Sequence, residues 1–176
     1  MLKKQMAELE RLSKDEFQYA AKSPLTIVLD NVRSMHNVGS VFRTCDAFLV
    51  EKIYLCGFTP TPPHREIQKT ALGATESVAW EAIAETPLLI NKLKQEGYLV
   101  YAVEQTHNSI ALNQFTPSKD SKIALVFGNE AEGVSEESIL SCDGAIEIPQ
   151  FGSKHSFNIS VSAGIVLWDI FNKMKG

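Results

Sequence analysis

Two short apolar runs constrain this chain more than any other feature: Leu25–Leu29, interrupted only by Thr26, and Ile123–Phe127. Each has the length of a strand, and neither approaches a membrane span. Apolar runs without alternation belong to parallel strands covered by helices on both faces. Around them the pattern alternates. Leu25–Asp30, Lys52–Cys56, Ser77–Trp80, Tyr98–Glu104, Ile123–Phe127 and Ala145–Ile148 read as strands. Val38–Phe48, Glu66–Leu72, Pro87–Gln95 (stopped by Gly97), Glu136–Leu140 and Ile159–Met174 read as helices. Strands alternating with helices predict an α/β fold on a parallel sheet.

The chain has 176 residues, room for one domain of ordinary size, and shows no repeat, low-complexity tract or internal linker. Leu2, Met6, Leu9 and Leu12 recur among charges over Met1–Tyr19. That spacing predicts an amphipathic helix and lacks the apolar centre of a signal peptide. Residues 1–22 are therefore expected to form a helical N-terminal extension, and residues 23–176 the domain proper.

Charge and cysteine usage exclude some classes. A formal net charge of −4 argues against a strong, non-specific nucleic-acid binder, although a local basic patch remains compatible with it. Cys45, Cys56 and Cys142 are odd in number and widely spaced. Neither a disulfide framework nor a cysteine zinc site fits them, and a reducing cytoplasm does. His36, His64, His107 and His155 have no metal-ligand spacing, so no metal site is expected.

Three polar segments adjoin the apolar elements. In the first, Asn37–Arg43, Asn37 is placed to cap the following helix, and Gly39 shares a helix face with Arg43. The missing side chain at Gly39 admits either a ligand or another backbone beside the guanidinium. An ordinary surface arginine fits the same pattern. The second segment, Gly128-Asn129-Glu130-Ala131-Glu132-Gly133, directly follows a buried strand, where ligands bind in open α/β sheets. A plain tight turn fits it too. It is neither a phosphate-binding loop nor a dinucleotide fingerprint. The third spans Ile148–Asn158, with Gly152 permitting a sharp turn and Ser156 and Asn158 opening the last helix, both compatible with simple capping. That helix is apolar nearly all round, which fits a core element or a subunit interface. His155-Ser156 does not make a nucleophile pair, because adjacent residues rarely form the required hydrogen bond and no G-x-S-x-G elbow is present.

In order, the three segments resemble the signature of the SpoU/TrmH branch of the SPOUT RNA methyltransferases. Asn37, Gly39 and Arg43 match N-x-G-x-x-x-R; Gly128, Glu130 and Gly133 match G-x-E-x-x-G. Ile148, Pro149, Gly152, Ser156, Asn158 and Ser160 match I-P-x-x-G-x-x-x-S-[L/F]-N-[V/I]-S. The resemblance covers about Leu25 to Phe171. Phe157, Gln150 and Ala131 depart from the usual residues without removing a polar functional group.

The resemblance implies a parallel-sheet fold with a C-terminal trefoil knot, S-adenosylmethionine bound in that knot, and a homodimer. It implies cofactor binding by Phe127, Gly128, Asn129, Gly133, Ile148, Pro149, Gly152, Ser156, Phe157 and Asn158. It assigns catalysis to Arg43, with Asn37, Glu130, Ser156 and Asn158 orienting it or shaping the site. The reaction implied is methyl transfer to an RNA ribose 2′-hydroxyl, on tRNA in first place and rRNA in second. A non-catalytic RNA-binding module of the same fold, or a phosphate-binding enzyme of another α/β family, are the rivals. Guanidinium is protonated throughout the accessible pH range, so Arg43 suits a phosphate clamp better than a base. Arg33, Arg65, Lys69 and Lys154, with Arg43, form the expected RNA patch.

Overall fold

A computed structural model describes residues 2–9 and 11–175, apart from the side chains of Met6 and Ala7. After a 3-10 turn at Met6–Leu9, the elements are α1 (Lys14–Tyr19), β1 (Ser23–Asp30), α2 (Met35–Ala47), β2 (Val50–Cys56), α3 (Arg65–Ala71), α4 (Ala74–Ser77), β3 (Trp80–Ile83), α5 (Thr86–Gln95), β4 (Tyr98–Val103), β5 (Ile110–Ala111), β6 (Lys122–Phe127), α6 (Glu136–Ser141), β7 (Gly144–Glu147) and α7 (Ile159–Lys175). The strands form one parallel sheet in the order β3-β2-β1-β6-β4-β7-β5.

The two apolar runs lie side by side at its centre, with Leu25 opposite Ile123 and Leu29 opposite Phe127. Successive strand residues face opposite sides, so each run feeds two cores. Leu25, Ile27 and Leu29 join Ile123, Leu125 and Phe127 beneath α2 and α7. Val28, Ala124 and Val126 pack on the other side with Leu89, Ile90 and Leu93 of α5. Phe42 on α2 is fully buried, and its truncation to Ala would cost about 3–5 kcal/mol.

This register aligns the ends of the strands. Asp30, Phe127 and Val103 finish at one edge, beside Glu147 of β7. All three polar segments therefore meet at the carboxyl ends of parallel strands.

Some expected elements differ. The N-terminal helix is broken into the 3-10 turn and α1, while Met1 and Glu10 lie outside the described residues. The break has a cause: Ser13 accepts the Glu16 N–H, and the Glu16 carboxylate accepts the Ser13 N–H, so a capping box starts a new helix. Phe17 of that helix is buried in the main core. The strand expected at Ser77–Trp80 begins only at Trp80, because the Ser77 hydroxyl is engaged by Asp46 and the Ala74 carbonyl at the end of α4. The two-residue β5, paired with β7, is too short to show a pattern.

Candidate active site

The site begins with how α2 starts. Ser34, not Asn37, is its N-cap, accepting the Asn37 N–H through its hydroxyl. Asn37 stands in the first turn, with its side chain released for other work. The Asn37 amide donates to Glu130 Oε1 at 2.8 Å, and its Oδ1 accepts from Asn158 Nδ2 at 3.2 Å. The Arg33 and Ser34 backbone N–H groups also donate to Glu130, at 2.9 and 3.0 Å. Asn158 Oδ1 in turn accepts the Ser160 N–H at 2.9 Å and the Ser160 hydroxyl at 2.7 Å, capping α7. One chain of hydrogen bonds thus joins all three segments.

Partial burial pushes the Glu130 carboxyl up, but the hydrogen bonds from Arg33, Asn37 and Ser34 outweigh it and hold the group below the usual carboxylate range. Glu130 is thus an ionised acceptor with most of its capacity used, and a poor proton shuttle.

The second segment is a closed turn. Asn129 and Gly133 exchange backbone hydrogen bonds at 2.8 and 2.9 Å. A Cβ at Gly128 would sit 2.0 Å from the Gly133 carbonyl carbon, so only glycine lets the turn close. The buried Asn129 side chain is spent on structure. Its amide donates to the Asn31 carbonyl at 2.8 Å, and its Oδ1 accepts the Ala131 N–H at 2.8 Å. The Asp30 carboxylate, 1% exposed, accepts the Ser135 N–H and hydroxyl at 3.1 and 2.8 Å, anchoring the far end.

Above these loops lies an open cavity of about 480 Å³, within the range of about 300–1,000 Å³ of cofactor sites. Phe127, Gly128, Asn129, Glu130 and Gly133 line it from the second segment, and Ile148, Ser156, Phe157 and Asn158 from the third. Pro149 and Gly152 are exposed and stand off its wall. Its carboxylates come from Glu104, Glu130, Glu132 and Glu147, and among the described residues no lysine or arginine lines it. Sequence reasoning missed Glu104, Gln105 and Glu147. The strand-end rule that singled out Glu130 applies equally to the ends of β4 and β7.

Arg43 is not among the wall residues. It is exposed on α2 and, among the described residues, has no hydrogen-bond or ion-pair partner. Gly39, on the same face, resolves the earlier alternative in favour of another backbone. A Cβ there would lie 2.2 Å from the Ile67 carbonyl oxygen of α3. Of the expected basic patch, Arg65 and Lys154 are exposed, Lys69 is paired with Glu66, and the Arg33 guanidinium lies 5.8 Å from the Phe58 ring centre. Among the described residues, no three His, Cys, Asp or Glu side chains converge as a metal site needs. Burial pushes the Cys45 thiol up, and takes those of Cys56 and Cys142 to about 12, so none is a thiolate at neutral pH.

Fold and site define an α/β protein with a ligand cavity at the carboxyl ends of a parallel sheet, its walls tied by an Asn–Glu–Asn cluster. Residues 24–168 match the SpoU rRNA Methylase family, and the chain belongs to that family. It is 30% identical over 166 residues to a tRNA (guanosine(18)-2'-O)-methyltransferase of Thermus thermophilus, covering 94% of this chain and 84% of that one. The TrmH/SpoU tRNA modifying enzyme of A. aeolicus superposes with a TM-score of 0.80 at 26% identity, over 92% of this chain and 80% of that one. An AdoMet-bound rRNA methyltransferase from Sinorhizobium meliloti gives 0.76 at 26% identity, over 87% of this chain and 58% of that one.

Proposed function

We propose that this protein transfers a methyl group from S-adenosylmethionine to a ribose 2′-hydroxyl of RNA, with tRNA as the preferred class. The hydrogen-bonded union of Asn37, Glu130 and Asn158 at the cavity edge carries the reading. Membership of the SpoU family supports it. The cavity chemistry fits the donor: walls bearing four carboxylates and, among the described residues, no lysine or arginine repel phosphates and favour a ligand with sulfonium and ammonium charges. This favours S-adenosylmethionine over the nucleotide of a phosphate-binding enzyme. The bound cofactor supplies an activated methyl group with a neutral sulfide as leaving group.

The protein's own residues then have positioning and electrostatic work to do. Phe127, Gly128, Asn129, Gly133, Ile148, Ser156, Phe157 and Asn158 shape the cofactor cavity, while Pro149 and Gly152 set the course of the third loop. Arg43, exposed beside Gly39, clamps an RNA phosphate with its planar fork and stabilises charge developing on the ribose oxygen. Asn37 and Glu130 fix the start of α2, and hence the direction of Arg43. Ser156 faces the methyl-transfer region from the third loop.

Four further parts belong to the proposal. Val161 and Trp168, seven apart on α7, are exposed at 48% and 61%. With the half-buried Ile165 they form an apolar stripe that suits a second copy in a homodimer. The chain after β7 is taken to thread as a trefoil knot, and hydrogen bonds to Gln105 and Asn37 bring it back against the cavity. Residues 23–176 constitute the methyltransferase domain with 1–22 as its extension. A cytoplasmic location agrees with three free cysteines, and among the described residues no helix is long and apolar enough to cross a membrane. The preference for tRNA is supported by the Thermus tRNA enzyme, of which the chain spans 84%, against 58% of the Sinorhizobium rRNA enzyme.

Incubation with methyl-labelled S-adenosylmethionine and separated unmethylated tRNA and rRNA tests the proposal. Label in tRNA supports it; label in rRNA alone overturns the tRNA preference, and label in neither overturns the activity.

A further inference from the structure

The two loops that wall the cavity are held very differently. The loop at 128–135 is fixed from below by Asn129 and Asp30. The loop at 148–157 is half-buried at its start and exposed over Phe151–Phe157. Among the described residues it has a single hydrogen bond, in which Gln105 Nε2 donates to the His155 carbonyl at 2.8 Å. The residue beside Gln105 holds the opposite wall. Glu104 Oε2 accepts the Val134 N–H at 3.0 Å, and Glu104 Oε1 accepts the Gln105 N–H at 2.9 Å. Gly133, at φ +74°, brings the turn against this carboxylate, where a Cβ would lie 2.2 Å from Oε2. Both side chains face the cavity.

We propose that Glu104 and Gln105 are positioning residues that couple the two cofactor loops across the end of β4, with Gln105 the latch on the otherwise untethered third loop. The proposal rests on the reading of the cavity as the S-adenosylmethionine site. Glu104 is ordered by the turn it grips, and its bond to the Gln105 N–H sets where the Gln105 amide begins. Gln105 then holds His155 and the adjoining Ser156 against the cavity. One neutral hydrogen bond shifts an equilibrium by about 2- to 12-fold. That is enough to favour the closed loop, and weak enough to let it open for exchange of cofactor and product.

Gln105→Met tests this, because it keeps the length of the side chain, removes the donor and adds no charge to the cavity. Hydrogen–deuterium exchange on the ligand-free variant should show faster amide exchange across 150–157, with 128–135 unchanged. Calorimetry should show the S-adenosylmethionine Kd rising about 3- to 10-fold. Turnover of RNA at saturating cofactor should stay within about 2-fold, so the cofactor KM moves and kcat does not. Glu104→Ala should accelerate exchange in both loops. Wild-type exchange and wild-type Kd in Gln105→Met would overturn the latch. If exchange accelerates but wild-type protein fails to bind S-adenosylmethionine, the latch stands and the reading of the cavity falls.

Discussion

Asn37 Nδ2 lies 2.8 Å from Glu130 Oε1, across 93 residues of sequence, and the same Asn37 accepts from Asn158. Asn37→Ala removes both contacts in a side chain only 9% exposed. At about 0.5–1.5 kcal/mol per hydrogen bond, it should lose about 1–3 kcal/mol of stability. Asn37→Asp should lose more, because it sets a second carboxylate against Glu130. Urea unfolding with an unchanged m-value measures both; a wild-type midpoint for Asn37→Asp would contradict the role of this contact.

The Glu130 carboxyl also makes the fold acid-sensitive. Its folded-state pKa lies below the ordinary value of 4.5, despite the opposing effect of burial. The stabilisation is therefore full above about pH 4.5 and is lost as pH falls through the lower folded value. Glu130→Gln should be less stable than wild type at pH 7, and the difference should shrink toward pH 3. Denaturation midpoints across that range check it, and a difference that grows on acidification would reverse the sign.

Arg43 is exposed and unpartnered among the described residues, so its loss should leave the fold alone. Arg43→Ala should stay within about 0.5 kcal/mol of wild-type stability, bind S-adenosylmethionine normally and lose turnover. Arg43→Lys should also fail, since a point charge cannot reproduce the planar fork. Near-wild-type turnover in either variant would remove Arg43 from the mechanism.

How far the sequence foretold this site depended on whether a residue acts through pattern or through contact. Leu25–Leu29 and Ile123–Phe127 announced central parallel strands, because double-sided burial leaves a run without polar alternation, Thr26 being its one polar member. The three segments were legible as one region only through their resemblance to the SpoU/TrmH signature, since each alone also fits a cap or a turn. Asn37 was misplaced as the helix cap. Ser34 was an equally good cap three residues earlier, and only the fold shows that the Asn37 amide is claimed by Glu130. Gln105 carried only the weak signal of standing after a strand end, because its partner is a carbonyl 50 residues away. That α3 packs directly on Gly39 is a contact between two helices, which periodicity on one helix cannot reveal.

That packing gives a further prediction. Gly39→Ala places a methyl 2.2 Å from both the Ile67 carbonyl oxygen and the Thr70 hydroxyl. Helix α3 must move away, at about 1–3 kcal/mol for overpacking. The thermal midpoint should fall, and activity should fall with it as the start of α2 shifts. A variant as stable and active as wild type would show that α3 can retreat freely.

In the proposed reaction the methyl group goes to a ribose oxygen. Labelled RNA from the transfer reaction, treated with alkali and resolved by mass spectrometry, tests it most directly. Methylation at the 2′-oxygen blocks cleavage at the neighbouring phosphate, so label should appear in one alkali-resistant dinucleotide and be absent with Arg43→Ala. Label recovered on a base, in a mononucleotide that alkali releases, would contradict it.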